Sequence, residues 1–204
     1  MRKAFIVCLA FGGMLSVAHA QPDPWFAPAV NYGAGDGPSS VYVADLDGDG
    51  DADLAVANDG SFNVSILKNN GDGTYQAGVN YGADERPISV FASDLDGDGD
   101  ADLAVANYGT FIVSILKNNG DGIFQTPVNY GADVSPVSLF ASDLDGDGDA
   151  DLAVANWASD NISILTNNGN GTYQAALNYA AGNGPWSVFA SDLDGDGDAD
   201  LAVA

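Results

Sequence analysis

Five aspartates take alternate positions in a nine-residue run, Asp45, Asp47, Asp49, Asp51 and Asp53, separated only by Leu46, Gly48, Gly50 and Ala52. Carboxylates this dense repel one another in water, and the chemistry that turns the repulsion into a gain is coordination of a hard divalent cation. Such an ion takes six to eight oxygens at roughly 2.3–2.6 Å from a flexible loop. Counted from Asp45, the pattern predicts side-chain oxygens from Asp45, Asp47 and Asp49, a main-chain carbonyl from Asp51, and closure of the site by Asp53. Gly48 and Gly50 supply the backbone angles that let the chain curl. Magnesium demands a stricter octahedron and keeps its waters, and soft metals find no thiolate or imidazole here, so calcium is the ion the run predicts.

The run recurs. It begins again at Asp94, Asp143 and Asp192, always 49 residues on. The second copy supplies Asp94, Asp96, Asp98, Asp100 and Asp102, and the third Asp143, Asp145, Asp147, Asp149 and Asp151. The fourth supplies Asp192, Asp194, Asp196, Asp198 and Asp200, so up to four calcium ions are expected, about one per loop. A fixed period of this size marks a repeat architecture. An EF-hand loop needs an acid at its twelfth position, which here is Val56, and the calcium-binding β-roll has a period of nine. A bare solvated turn has no reason to keep aspartate at alternate positions four times over.

The elements that position the loops follow from the rest of each repeat. Ser40 to Ala44 reads as a strand, the loop leads into a second strand at Asp53 to Asn58, and a third lies at Val64 to Lys68. Asn70-Gly71-Asp72-Gly73 makes a tight hairpin, and Thr74 to Tyr81 is the expected fourth strand. Helical periodicity is absent. A four-stranded meander that is apolar on both faces must be covered by its neighbours, and radial stacking of such sheets is the β-propeller solution. Ala55 and Ala57 are expected to serve a strand near the crowded axis.

Asp-Leu-Asp-Gly-Asp-Gly-Asp-Ala-Asp-Leu-Ala-Val-Ala-Asn, followed by Val-Ser-Ile-Leu-Lys-Asn-Asn-Gly-Asp-Gly-Thr-Tyr, resembles the FG-GAP/VCBS repeat family, which includes the integrin α-chain propeller. The resemblance runs from about Phe26 to Ala204. It implies an all-β fold, a β-propeller of four-stranded antiparallel blades, here about three and a half 49-residue repeats and therefore an incomplete set. Gly37-Pro38 and Ala57-Asn58 stand where the integrin form has Phe-Gly and Gly-Ala-Pro. The likeness is thus to the bacterial VCBS-like branch, and integrin-type partners are not implied.

Residues 1–20 have the form of a secretory signal peptide: Met1-Arg2-Lys3, an apolar run to Ala18, and Ala18-His19-Ala20 before a polar segment. The run is too short and Gly-interrupted for a comfortable membrane span. Residues 21–25 are a short lead, and the repeats fill 26–204. Removal of the leader takes with it Cys8 and His19, the only cysteine and histidine, and leaves Lys68, Arg86 and Lys117 against 29 acids. No thiol or imidazole chemistry remains, so no catalytic residue is expected. Nucleic acid, which needs basic residues against its phosphates, is disfavoured as a partner. The chain is expected to be secreted, extracellular or periplasmic.

Recognition beyond the cation should lie where the 49-residue register places unlike residues. One series is Asp59, Tyr108, Trp157, and another is Ser39, Ile88, Val137, Trp186. In the blade layout that the resemblance implies, both lie on the face opposite the acidic loops. Tyr108, Trp157 and Trp186 are therefore candidate contacts for a sugar or an extracellular protein, the other reading being that they fill gaps between blades. Two functions follow: an adhesion or ligand-recognition module, or the propeller portion of a secreted carbohydrate-active enzyme whose catalytic part lies outside this sequence.

Overall fold

The computed structural model describes residues 7–9 and 28–204. The expected leader and lead segment lie outside the described residues apart from strand β1 (Val7–Leu9), which runs parallel to β2 (Val30–Tyr32). Three antiparallel sheets follow, each a meander of four strands. The first holds β3 (Pro38–Ala44), β4 (Asp53–Asn58), β5 (Asn63–Leu67) and β6 (Val79–Gly82). The second holds β7 (Pro87–Ser93), β8 (Asp102–Asn107), β9 (Ile112–Leu116) and β10 (Val128–Gly131). The third holds β11 (Pro136–Ser142), β12 (Asp151–Asn156), β13 (Asn161–Leu165) and β14 (Leu177–Ala180), and β15 (Val188–Ser191) pairs with β16 (Asp200–Val203) as a two-stranded fourth. Among the described residues there is no helix, and the sheets do not close into a ring.

The second strand explains the stacking. Alternate side chains of a strand face opposite ways, so Leu54 and Val56 point to one face of the first sheet and Ala55 and Ala57 to the other. The alanine face, with Val64 and Ile66, meets Leu103, Val105 and Leu116 of the second sheet in one buried cluster. One repeat on, Ala104 and Ala106 meet Leu152, Val154 and Leu165. Every second strand is thus small on one side and large on the other, and adjoining sheets interlock small against large. All six residues of β4, β8 and β12 are buried in consequence.

The first strands, next to the alanine-flanked second strands, make the closest approach between sheets. Tyr42, Phe91, Phe140 and Phe189 form a file along them, with successive ring centroids 4.7, 5.0 and 4.4 Å apart. The alanines serve the seam between sheets beside them. The fourth strand is shorter than expected. Tyr75 makes only an isolated bridge to Asn69, and regular pairing resumes at Val79. Gln76-Ala77-Gly78 carries no ladder, and the corresponding stretch of the second repeat holds Pro127, which has no amide hydrogen to offer one.

Each four-stranded sheet carries one polar row that runs from a buried asparagine through a buried serine to an exposed asparagine. Asn58 Nδ2 donates to Ser65 Oγ at 2.9 Å, and Ser65 Oγ donates to Asn80 Oδ1 at 2.6 Å. The row recurs with Asn107, Ser114 and Asn129, and with Asn156, Ser163 and Asn178. Substituting Ala104 by leucine is expected to overpack the second seam and cost about 1–3 kcal/mol. A lower urea midpoint at constant m-value reports this, whereas an unmoved midpoint would mean that the seam has spare room.

Candidate metal centres

Each acidic loop is tied down by its own carboxylates. Asp45 accepts the Gly48 amide on Oδ1 and the Gly50 amide on Oδ2, both at 2.9 Å. Those contacts need the chain to double back at both glycines, and their φ angles are 77° and 86°. Asp53, fully buried at the start of β4, accepts Leu46 N at 3.0 Å on Oδ2 and Asn69 N at 2.7 Å on Oδ1. It therefore joins the loop, the second strand and the hairpin that follows the third. Asp102 and Asp151 do the same with Leu95 and Asn118 and with Leu144 and Asn167. In the fourth repeat Asp200 accepts Leu193 N alone among the described residues.

The arrangement draws three of each five carboxylates together. Oxygens of Asp45, Asp47 and Asp53 lie within 4.8 Å of one another, as do those of Asp94, Asp96 and Asp102, of Asp143, Asp145 and Asp151, and of Asp192, Asp194 and Asp200. Asp49, Asp51, Asp98, Asp100, Asp147, Asp149, Asp196 and Asp198 lie outside these groups. Asp49 instead accepts the Asp51 amide at 2.8 Å, and the Asp51 carboxylate rests against Gly71 of the same repeat. The middle carboxylate differs from its partners, because Asp47 Oδ1 and Asp96 Oδ1 are buried without any hydrogen-bond partner. Burial raises the Asp53 and Asp151 carboxyls above their usual range and pushes Asp102 up to about 6. The neighbouring loop aspartates add to the rise in each case, and the two amide hydrogen bonds work against it.

The hairpin after the third strand takes part in the site, which the sequence pattern of carboxylates alone did not reveal. Asn118 Oδ1 accepts the Gly120 and Gly122 amides and so shapes its own turn. Its Nδ2 donates across the seam to Leu46 O at 2.7 Å, inside the acidic loop of the preceding repeat. Asn167 repeats this with Leu95 O at 2.8 Å. Each of the first two loops is thus covered by the next repeat's hairpin. The recurrence of Asn-Asn-Gly in register with the loops was the available signal, but pairing over 72 residues is invisible to it.

The unlike residues lie at the other end of the sheets. Asp59 pairs with Arg86 at 2.9 Å, and the Arg86 guanidinium stands over the Tyr108 ring at 4.9 Å. Tyr108 is half-buried against the third cluster of packed residues, whereas Trp157 is 43% exposed with its indole edge against Gly184 of the next turn. Trp186 is 59% exposed and corresponds in register to Val137, which is buried at 6% on the bulge that opens its first strand.

Four matches to the FG-GAP-like repeat family run along the chain, over residues 6–56, 45–105, 94–154 and 143–203. Among curated proteins none matches the sequence. Among solved structures, an Agrocybe aegerita lectin described as recognising non-reducing terminal N-acetylglucosamine aligns with a TM-score of 0.54 at 26% identity. That alignment covers 80% of this chain and 45% of the lectin. A chain of the BBS1N complex with ARL6DN aligns with a TM-score of 0.59 at 17% identity, over 84% of this chain and 51% of the other, a likeness of fold alone. A chain of the Photorhabdus luminescens Tc holotoxin pore aligns at 0.51 and 24% identity, over 80% of this chain and 8% of its own length. This chain therefore spans about half the length of the first two. With its four repeats in a period of 49 and its fan of four-stranded sheets, it belongs to the FG-GAP-like repeat family.

Proposed function

We propose that this chain is a secreted calcium-binding repeat module that recognises an extracellular glycan or protein. The observation that carries the cation is the buried, unpartnered Oδ1 of Asp47 and of Asp96. A buried acceptor with no donor is costly, and each of these lies beside two further carboxylates. Asp45 and Asp53 already accept amides, but a carboxylate has about four lone-pair sites and keeps capacity for a metal. One divalent ion per group would partner the orphaned oxygen and relieve the mutual repulsion. An all-oxygen, carboxylate-rich donor set in a glycine-containing loop suits calcium. Asp45, Asp47 and Asp53 would hold it in the first repeat, with the corresponding triads in the others, and Asp49 and the Asp51 carbonyl complete the expected set.

The form of residues 1–20 supports export, and the likeness to a lectin supports the glycan reading of the rim that carries Tyr108, Trp157 and Trp186. The carboxylates are committed to holding the loops, so no reaction is assigned to this chain. A glycan array probed with calcium present, beside the Trp157→Ala variant, tests the recognition part. Binding lost in the variant supports that surface, and binding equal in both moves recognition elsewhere.

Removing metal gives the direct test of the cation. At a hundredfold excess over Kd, each occupied site stabilises the folded state by about 2.7 kcal/mol. Melting with calcium in place of EDTA should therefore occur at least about 5 °C higher. Equal melting temperatures in the two buffers would sink the proposal.

The pH dependence has a definite sign in each buffer. Asp102 titrates at about 6 when folded against 3.8 for an ordinary aspartate. In EDTA the folded state holds the extra proton between these values, so stability falls as pH rises through 6 and is level above it. Asp72 and Asp133, held below the usual range by hydrogen bonds, stay ionised from pH 5 to 7 and do not mask the trend. In calcium the ion and the proton compete, so the calcium-induced rise in melting temperature should shrink from pH 7 to pH 5. Parallel melts across that interval check both slopes.

A further inference from the structure

The acidic loops differ in what faces them. The residue that follows the third strand is Lys68 in the first repeat, Lys117 in the second and Thr166 in the third. Lys68 Nζ lies 3.3 Å from Asp47 Oδ2 in its own repeat and also donates to the Asp121 carbonyl in the hairpin of the next. Lys117 repeats the pattern with Asp96 Oδ2 at 3.0 Å and the Asn170 carbonyl. The four side chains are largely enclosed, 27% and 25% exposed for the lysines and 16% for each aspartate. Glycine, at φ of 70° and 69°, stands where the hairpin meets this pair. A β-carbon at Gly122 would come within 2.7 Å of Lys68 Cε and 3.2 Å of Asp47 Cβ, and Gly171 stands likewise against Lys117 and Asp96. Asp145, whose repeat carries threonine, is exposed.

Each lysine engages the outer oxygen of the middle aspartate, and the other oxygen, Oδ1, is the buried unpartnered one. The ammonium is therefore a resident cation beside the place a metal would take. At roughly 5 Å from a divalent ion, even in a water-like dielectric, its repulsion disfavours binding by about tenfold or more. Fixing one aspartate rotamer helps binding by a smaller factor, so the repulsion decides the sign.

We propose that Lys68 and Lys117 are internal cations that clip each following repeat onto the acidic loop before it and, as the cost, weaken metal binding at the first two loops. This rests on the cation-binding reading of the loops. The test is the double variant Lys68→Met, Lys117→Met, which keeps the aliphatic stems, with Lys68→Arg, Lys117→Arg as the charge-retaining control. In EDTA the methionine variant should melt below the parent, because the clips are lost. In calcium the gap should close, and isothermal titration calorimetry should show two sites tightened by about tenfold, with the arginine variant close to the parent. An equal deficit with and without calcium, at unchanged affinity, would make the lysines merely structural and overturn the inference while leaving the loops as metal sites. Absence of binding heat in parent and variants alike would overturn both. Should the double variant fail to fold, Lys68→Gln alone carries the same comparison for one site.

Discussion

A buried carboxylate at the head of each second strand is the constraint from which the rest of the repeat follows. Asp53 accepts one amide from the acidic loop and one from the hairpin beyond the third strand. A single side chain therefore fixes two connections that are distant in sequence. Burial raises the cost of its charge, and the site keeps that charge acceptable only by aiming donors at it. Once loop and hairpin are fixed together, the hairpin of one repeat can cover the loop of the repeat before it. The seam is then polar at that rim, through Asn118 and Leu46, and apolar along the strands, through alanines set against leucines and valines.

Much of this was legible in the sequence because it is local. The alternation of aspartate and small residues, the change to Leu-Ala-Val-Ala, and the period of 49 identify the loop, the second strand and the stacking without reference to distant parts of the chain. Asp53 to Asn58 is a strand with the bounds the pattern predicts. What was not legible is what depends on neighbours. Nothing local says that Tyr42 joins the file of closest approach and Ala55 the seam beside it, since both lie in short apolar strands. Their places are decided by which side chains can stack across repeats. The same holds for Lys68, which reads as an ordinary surface lysine closing a strand until the next hairpin is laid over it.

The candidate site shows the same division. Five aspartates per loop are equal in the sequence, yet the fold sorts them by what their neighbours leave free. In the first two loops Asp45 and Asp53, and Asp94 and Asp102, hold the loop by accepting amides, Asp47 and Asp96 are left with a buried bare oxygen, and the remaining two of each five lie outside the cluster. The sorting comes from chain curvature at Gly48 and Gly50, which the glycines of the run announce, and from burial of Asp53, which spacing does not encode. At the opposite rim, Asp59, Arg86 and Tyr108 form one contact chain that joins the first two sheets, and in the third repeat Trp157 stands at the Tyr108 position and Ser135 at that of Arg86.

The aromatic file on the first strands has a counterpart at the other margin of the sheets. Along the file successive rings are 4.4–5.0 Å apart, and on the fourth-strand side Tyr81 meets Phe124 at 5.4 Å and Tyr130 meets Tyr173 at 5.3 Å. The first two seams therefore have an aromatic contact at each margin, one on the first strands and one on the fourth-strand side. The inner contact is carried by one position per repeat, the residue at 42, 91, 140 and 189, which lies outside the acidic loops. Stacking of the first strands and clustering of the carboxylates are thus carried by separate parts of the same 49 residues.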